Sequence, residues 1–327
     1  MSELQVSLCI AAKGYDEALV RCLKCAAGQT ALEHAEILVC SPVNRQEMQG
    51  QLQQVVDECP SLKEHLRILQ DERNLGVSSA RNKLLEEAKG KYIAFSDADD
   101  TFEADYLERM IHAAEDNAAD MVTGSTKMIY TSGVKHVNKE VTKNIHDYID
   151  GLLRGNYQGW LHGKLFLRNV IEENHIRFHE DINMCEDLIF VVEVLTKADI
   201  IESEPAAVYR YDLLNDNSLS KVITSKKAAE VLKADSELMK LVGNDYKEAM
   251  DVRFAISKMW IIASADVISR DFLRIYREKK LYHLKKLPAI SRLFLLLCDR
   301  EASILVGWIV KIVNGHMKES RKNAATG

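Results

Sequence analysis

The sequence has few residues that interrupt regular structure and no long apolar segment. It contains only 4 prolines and 15 glycines among 327 residues, which excludes a long disordered linker. No run of 18 residues is free of charge, so a membrane-spanning helix is not expected. Residues 1–5 lack the basic start and the apolar run of about 7–15 residues that mark a secretory signal peptide. These absences predict a cytoplasmic protein.

The chain also lacks an excess of positive charge. Its formal net charge of −6 gives no overall attraction to nucleic acid, so we expect no nucleic-acid partner. The 7 cysteines are expected to be reduced thiols in the cytoplasm. Cys22 and Cys25 form a Cys-x-x-Cys pair, but they fall within an amphipathic helical pattern, which favours packing over metal binding or redox chemistry. What remains is the composition of an ordinary globular protein, 47% hydrophobic and 28% charged.

Short apolar runs alternate with helical patterns through the first hundred residues. The runs cover residues 6–11, 36–40, 66–69 and 91–96, and helical patterns at 16–28, 48–59 and 77–88 separate them. This alternation predicts an α/β fold with a doubly wound, mostly parallel central sheet flanked by helices. Ligands of such sheets bind at the carboxyl ends of the strands.

Three carboxylates follow the fourth apolar run. Asp97, Asp99 and Asp100 lie within four residues of one another. Each pair of charges repels by about 4 kcal/mol at about 4 Å when the effective dielectric constant is near 20. The cluster therefore predicts a bound cation.

The sequence pattern changes twice in the rest of the chain. A helix is predicted at 106–114, and residues 121–130 predict one or two strands. Residues 151–190 mix polar and aromatic side chains densely, which indicates the wall of a cleft. From Ser225 onward the pattern is helical, so we predict an α/β domain over 1–222 and a helical C-terminal region over 223–327.

The C-terminal region has a basic stretch followed by two apolar segments, 293–297 and 304–310. The acidic residues of the basic stretch are Asp271 and Glu278, and the basic ones are Arg270, Arg274, Arg277, Lys279, Lys280, Lys285 and Lys286. This composition is typical of a helix lying peripherally on the inner face of a membrane. It is equally typical of a helical pair that packs on the domain or on another subunit of a homo-oligomer, and both interpretations stay open.

Five motifs can be compared with known families. They are Asn74-x-Gly76-x-Ser78-x-Ala80-Arg81-Asn82, the run from Ala88 to Asp100 that ends in Asp97-x-Asp99, then Trp160, Lys164-Leu165-Phe166 and Glu186-Asp187. Together they resemble the family 2 glycosyltransferases of the GT-A fold, over residues 5–222. The resemblance implies transfer of a sugar, with inversion, from a nucleotide-diphosphate sugar to an acceptor hydroxyl in polysaccharide or glycoconjugate biosynthesis.

The resemblance also implies the reaction partners and two functional halves of the catalytic domain. A UDP-sugar is the expected donor, and a glycan or lipid-linked molecule is the expected acceptor. Residues 1–125 would form the nucleotide-sugar-binding half of the catalytic domain, and residues 126–222 would form the acceptor half. The transferred group would be a hexose or an N-acetylhexosamine.

Roles for the acids follow from the same resemblance. Asp99 is expected to bind Mn²⁺ or Mg²⁺ directly, and Asp97 is expected to contact the metal or the ribose. Such cations favour carboxylate oxygens and neutralise the charge that develops on a departing diphosphate. Asp187 matches the position of the family's catalytic base and lies in a predicted first helical turn, where the helix dipole favours the ionised form.

Other polar residues are also candidates for the site. Arg81 is expected to contact the donor, to pair with a local acid such as Asp97 or Asp99, or to do both. Lys164 and Trp160 are expected to line the donor or acceptor site. His162 and His179 are candidates for the surroundings of the metal, although a lone histidine more often has a structural role.

The sequence departs from the family at the ends of its first two apolar runs. The family usually has Pro-x-Tyr-Asn and Asp-Asp-Gly-Ser there, whereas residues 11–16 read Ala-Ala-Lys-Gly-Tyr-Asp and residues 39–44 read Val-Cys-Ser-Pro-Val-Asn. Either Ser41, Asp16 or a backbone carbonyl holds the nucleotide base, or the donor is not a common uridine sugar, or activity is reduced. A non-catalytic GT-A-like module that binds a nucleotide or a partner is the alternative function. A nucleotidyltransferase is disfavoured, because Lys13-Gly14 alone is no glycine-rich phosphate loop.

Overall fold

The computed structural model describes residues 4–130, 133–137, 141–213, 224–263, 273, 289–300, 302–307 and 309–310. The chain divides into two compact units. One comprises Met1–Ile149 with Tyr157–Leu214, and the other comprises Asp150–Asn156 with Asn215–Gly327. The predicted domain boundary near residue 222 falls in 214–223, outside the described residues.

The first half of the first unit alternates strands and helices as the sequence predicts. Its elements are β1 (Val6–Ala11), α1 (Glu17–Ala27), β2 (Ala35–Ser41), α2 (Arg45–Glu58), α3 (Leu62–His65), β3 (Leu66–Gln70), α4 (Val77–Glu87) and β4 (Tyr92–Asp97). The four strands pair in parallel in the order β3-β2-β1-β4. Their carboxyl ends therefore share one edge of the sheet.

Local chemistry explains where the first helices begin and end. The Asp16 carboxylate accepts a hydrogen bond from the Leu19 amide at 2.8 Å and caps α1, and Gly28 ends that helix. In the same way the Asn44 side chain accepts hydrogen bonds from the amides that open α2. Cys22 is buried, and the Cys25 thiol donates to the Phe102 carbonyl oxygen at 2.9 Å. Both thiols are thus part of the packing of α1.

The second half of this unit completes the sheet. Its elements are β5 (Thr101–Phe102), α5 (Tyr106–Asn117), β6 (Met121–Tyr130), β7 (Gly133–Val137), α6 (Ile145–Leu153), β8 (Lys164–Leu167), α7 (Arg168–Glu173), α8 (Glu186–Leu195) and β9 (Ile201–Asp212). The division between the two units falls within α6, after Ile149. Within the described residues nine strands form one sheet, in the order β3-β2-β1-β4-β8-β6-β9-β5 with β7 beside β6. Strand β8 runs antiparallel to β4 and β6, and β9 runs parallel to β6. The apolar runs of the sequence predicted neither β8 nor β9.

An aromatic cluster holds α8 against the sheet. Phe95 of β4 and Phe166 of β8 make edge-to-face contacts with Phe190 of α8, with ring centroids 5.7 and 5.6 Å apart. Phe178 stacks on Phe190 at 4.3 Å. Burying these rings places the first turn of α8 close to the end of β4.

The second unit is helical. Its helices include α9 (Ser225–Val242), α10 (Lys247–Ala263) and α11 (Ala289–Asp299). Buried ion pairs join Asp235 to Arg253, at 2.9 Å, and Lys258 to Asp299. In the described part of the chain, none of the helices has the length and apolar character needed to cross a bilayer.

Candidate active site

Three distant segments bring charged side chains together at the carboxyl edge of the sheet. Asp97 is the last residue of β4 and pairs in register with Ala11 of β1. Arg81 comes from the second turn of α4, and Glu186 and Asp187 open α8. Arg81 is separated by 105 residues from Glu186 and by 106 from Asp187 along the chain. The fold alone creates this site.

Arg81 is the centre of this cluster. Its Nη1 donates hydrogen bonds to Glu186 Oε1 at 2.8 Å and to Asp187 Oδ1 at 2.6 Å. Its Nη2 donates to Asp97 Oδ1 at 3.3 Å, so the arginine pairs with one of the two acids named from the sequence. One cation thus faces three carboxylates, and the cluster keeps an excess of negative charge.

The pKa of Asp187 is raised to about 7. Removal from water is the main cause, since it disfavours the charged carboxylate. The guanidinium of Arg81 acts in the opposite direction, whereas the charges of Glu186 and Asp97 raise the pKa further. A carboxylate with a pKa near neutrality can both take up and release a proton, which suits a general base.

The pKa of Asp97 is shifted in the opposite direction. Burial raises its pKa, but the imidazole of His162 and the guanidinium of Arg81 outweigh burial and bring it to about 2. Asp97 therefore stays ionised while Asp187 titrates near neutral pH. Two acids with pKa values moved apart in one site can take different chemical roles.

Asp100 points into the protein. Its Oδ2 accepts from the Tyr209 hydroxyl at 2.8 Å and its Oδ1 accepts from the Asp212 amide at 2.8 Å. Burial, followed by the charge of Asp97, raises the pKa of Asp100 to about 9. This carboxyl group anchors the end of β9 to the end of β4.

The donor atoms beside Asp97 fit a divalent cation. Among the described residues, Asp97, Asp100 and His162 offer one ligand atom each within 4.8 Å of one another. His162 Nε2 is buried and has no hydrogen-bond partner in the described part of the chain. Carboxylate oxygens with one imidazole nitrogen suit a cation such as Mn²⁺. Asp99 and His179 are not in this group of three, and the predicted role of Asp99 as a metal ligand stays a prediction.

Lys164 lies near Asp187, and the backbone of Trp160 contacts Lys164. The Lys164 ammonium is buried and donates to the carbonyl oxygens of Gln158 and Trp160, at 3.0 and 2.7 Å. Burial lowers the pKa of Lys164 to about 8, and the charge of Asp187 opposes this shift. Lys164 thus fixes the backbone of the segment that carries Trp160.

A row of rings extends from Trp160 toward the acids. Trp160 stacks on His162 with ring centroids 4.9 Å apart, and His162 stacks on Tyr209 at 4.7 Å. Tyr211 lies 5.4 Å from Trp160 and 4.9 Å from His162. Burial raises the pKa of Tyr211 to about 12, with smaller contributions from the neighbouring acids. These rings form one wall of the site.

Sequence reasoning missed Tyr209 and Tyr211. Both belong to β9, which lies next to the site only because it pairs with β6 and β5. The signal was the alternation of residues 208–212, Val-Tyr-Arg-Tyr-Asp, which is typical of a strand with two different faces.

Asp16 and Ser41 lie at the ends of the first strands. Asp16 is exposed and its carboxylate caps α1. Ser41 is fully buried; its hydroxyl accepts from the Val43 amide at 3.2 Å and its carbonyl oxygen accepts from the Asp71 amide at 2.9 Å. Their predicted contacts with the nucleotide stay predictions.

Known proteins resemble this chain in sequence. EpsH of Bacillus subtilis (strain 168) is 25% identical over 213 residues, which are 63% of this chain and 60% of EpsH. The succinoglycan biosynthesis protein ExoO of Rhizobium meliloti (strain 1021) is 26% identical over 205 residues, 57% of this chain and 59% of ExoO. The chain thus matches about six-tenths of the length of each of these relatives.

A solved structure resembles the whole fold. S. aureus TarS (residues 1–349) in complex with UDP-GlcNAc superposes with a TM-score of 0.69 and 16% identity, covering 95% of this chain and 92% of that one. This likeness confirms the predicted GT-A fold. The family model for glycosyl transferase family 2 matches residues 7–174, just over half of the 327 residues. The protein belongs to glycosyl transferase family 2.

Proposed function

We propose that the protein transfers a hexose or N-acetylhexosamine from a UDP-sugar to a hydroxyl of a glycan or lipid-linked acceptor, with inversion and with the help of a divalent metal. The observation that carries this proposal is the bridge by Arg81 between Asp187 and Asp97, 2.6 and 3.3 Å from the guanidinium. This bridge brings the carboxylate of Asp187, which titrates near neutral pH, close to the carboxylate of Asp97, which stays ionised. The names of ExoO, a succinoglycan biosynthesis protein, and of the UDP-GlcNAc complex of TarS support a polysaccharide product and a nucleotide-sugar donor.

Asp187 is the proposed base. It accepts the proton of the acceptor hydroxyl as that oxygen attacks the anomeric carbon on the face opposite the diphosphate. Arg81, Glu186 and Lys164 surround it from three elements of the fold. The rings of Trp160 and Tyr211 are proposed to bound the space for the sugars, since aromatic faces favour the polarised C–H groups of a pyranose.

A divalent cation, when bound, would stabilise the negative charge of the leaving diphosphate. Asp97 and His162 are proposed to hold it, and Asp99 is proposed as the ligand from the same turn. Asp100 is already engaged by Tyr209 and Asp212, so its contribution is to fix the turn that carries Asp97 and Asp99.

The nucleoside is proposed to lie at the ends of β1 and β2. Exposed Asp16 is the better candidate for a direct contact, because the Ser41 hydroxyl is buried and engaged with Val43. We further propose the division of the catalytic domain into a donor half, 1–125, and an acceptor half, 126–222.

The decisive experiment is a screen of nucleotide sugars with Mn²⁺ and a broad acceptor panel, with products identified by mass spectrometry. Asp187→Asn should keep donor binding and lose transfer by about 100- to 10,000-fold, the usual range for a general base. Asp99→Ala should abolish donor turnover. Asp116→Asn, which changes an exposed acid of α5, is the matched control and should act as wild type. Undiminished transfer by Asp187→Asn would falsify the base assignment.

A non-catalytic nucleotide-binding or partner-binding module is the second candidate function. The observation that favours it is the end of β2, where the buried residue Ser41 stands in place of a carboxylate. Nucleotide binding by calorimetry, with neither hydrolysis nor transfer across the whole panel, would support the module.

The C-terminal region is proposed to contact an anionic membrane peripherally, on its inner face. The support is the basic sequence of residues 270–286 together with exposed apolar side chains on the helical residues that follow. Self-association through the same side chains is the competing outcome, and the two are separated by the vesicle experiment described in the Discussion.

A further inference from the structure

We propose that Arg81 is a positioning residue, which holds the Asp187 carboxylate in the geometry needed for proton transfer and does not bind the donor. This inference rests on the proposed function, because it needs Asp187 to act as the base. It assigns to Arg81 a role different from the donor contact expected from the sequence.

The contacts of the guanidinium are the first argument. The Arg81 side chain is only 7% exposed. Nη1 carries two hydrogens, and Glu186 and Asp187 accept one each, at 2.8 and 2.6 Å. Nη2 points to Asp97 at 3.3 Å, and the ring of Phe178 lies 5.5 Å from the guanidinium carbon. The charged group is directed at the protein's own acids and covered by a ring.

The residues on either side of Arg81 are fixed as well. The Ser78 hydroxyl donates to the Ile182 carbonyl oxygen at 2.8 Å. Asn82 Nδ2 donates to the Phe178 carbonyl oxygen at 2.9 Å, and Asn82 Oδ1 accepts from the Phe178 backbone amide at 2.8 Å. Hydrogen bonds thus hold α4 to the segment that leads into α8.

Glycine at position 76 makes that contact close. A Cβ at Gly76 would lie 2.4 Å from Asn183 Oδ1, and the φ angle of +113° is one that other residues rarely adopt. The start of α4 therefore packs directly on the segment before Asp187. Two independent sets of contacts, those of the start of α4 with residues 178–183 and those of the guanidinium, fix Asp187 relative to β4.

The consequence for catalysis is geometric. Proton transfer needs the base within hydrogen-bond reach of the acceptor hydroxyl, and a displacement of about 1 Å costs about 100-fold in rate. Without Arg81 the carboxylates of Glu186, Asp187 and Asp97 would repel one another at close range, and Asp187 would move. The loss should appear in kcat and not in donor affinity.

The test compares Arg81→Ala and Arg81→Lys with Arg67→Ala as a matched control. Arg67 also bridges two carboxylates, Glu36 at 2.9 Å and Glu87 at 2.7 Å, but its strand position is near the opposite edge of the sheet. For each variant we would measure the affinity for UDP with Mn²⁺ by calorimetry, kcat and KM with the donor found in the screen, and the melting temperature.

The expected result is that the Arg81→Ala variant keeps its affinity for UDP and loses turnover. Arg81→Ala should bind UDP within about 3-fold of wild type and lose about 100-fold in kcat. Millimolar guanidinium should restore part of the kcat of Arg81→Ala, because it refills the vacated site between the carboxylates. Arg81→Lys should keep part of the rate, and Arg67→Ala should lose stability and keep kcat.

Specific outcomes would overturn the inference. A loss of UDP affinity as large as the loss of kcat would make Arg81 a donor contact, and an unchanged kcat in Arg81→Ala would leave it no role in turnover. If Arg81→Ala does not fold, the same two quantities, UDP affinity and kcat, are compared between Arg81→Lys and wild type. Absence of transfer by the wild-type protein would instead contradict the proposed function, and the inference would fall with it.

Discussion

The ionisation of one residue, Asp187, should set the pH dependence of the reaction. Burial raises its pKa to about 7, and only the ionised carboxylate can take a proton. The groups that face it are Arg81 of α4, Asp97 of β4, Lys164 of β8, Tyr211 of β9 and its neighbour Glu186. The value of kcat/KM should therefore rise with pH through about 7 and level off above it.

This prediction is checked by measuring kcat/KM from acid to alkaline pH in wild type and in Asp187→Asn. The residual activity of the variant should lack the rise near neutrality, because its amide does not titrate. A flat wild-type profile through neutral pH, or the same rise in the variant, would assign the pH dependence to another group.

At the level of elements, the site depends on the joint between β4 and β9. The Tyr209 hydroxyl donates to Asp100, lies 3.1 Å from Ser96 Oγ and accepts from the Asp97 amide at 3.2 Å. All of these groups come from the end of β4 or the turn after it. One phenol thus holds the aspartate-bearing turn against β9.

Tyr209→Phe should loosen this joint. The change removes only the hydroxyl, and it leaves buried Asp100 Oδ2 and the Asp97 amide without that partner. Leaving buried polar groups unpaired costs about 1–3 kcal/mol. We expect the free energy of unfolding, measured in urea, to fall by about that amount.

Tyr148→Phe is the matched control for this prediction. Tyr148 is equally buried, but its hydroxyl makes only a 3.5 Å contact with Thr123 Oγ1 among the hydrogen bonds described. It should lose less stability than Tyr209→Phe. Equal losses would mean that the hydroxyl of Tyr209 adds nothing beyond an ordinary buried phenol.

The elements differ in how far the sequence predicts them. Strands β1 to β4 are mostly apolar runs between helices, so periodicity and caps such as Asp16 reveal them. Strand β8 begins with Lys164, and β9 contains Pro205 amid charged residues. Their strand conformation depends on pairing with distant partners, and the only local signal is the alternation of residues 208–212 at the end of β9.

The residues of the candidate site also differ in how far the sequence predicts them. Asp97 and Asp187 are recognisable from motifs because each closes or opens an element with a clear pattern. The hydrogen bonds of Arg81 to residues more than a hundred positions away, and those of Asp100 to Tyr209 and Asp212, arise only when the sheet closes. The roles of residues that depend on such contacts can be recognised only from the structure.

On the scale of the whole molecule, apolar surface is unevenly distributed along the chain. Among the described residues, large exposed apolar side chains occur singly up to Ile200. Four more follow in the last helical residues: Ile290 at 78%, Leu293 at 54%, Ile304 at 88% and Leu305 at 45% exposure. An exposed apolar surface usually marks a site that binds a partner or a membrane, and this part of the chain is the candidate for one.

The basic residues at 270–286 favour an anionic membrane as that partner. Exposed charges are screened over about 8–10 Å at physiological ionic strength, so charge-assisted binding should weaken as salt rises. We expect the protein to bind vesicles containing phosphatidylglycerol more strongly than pure phosphatidylcholine vesicles, in flotation assays at low salt. The double variant Ile290→Asp with Ile304→Asp should bind less, because each aspartate replaces apolar area with a charge that anionic lipid repels.

The control for this prediction is Ile200→Asp, which changes an exposed isoleucine of the other unit, 43% exposed, and should bind vesicles as wild type does. Light scattering without lipid completes the comparison. Unchanged vesicle binding at high salt, or no binding, together with a dimer that the double variant converts to a monomer, would assign the apolar side chains to self-association. Salt-sensitive binding lost only in the double variant would place the protein at a membrane surface, and one set of side chains would then account for both attachment and access to the proposed lipid-linked acceptor.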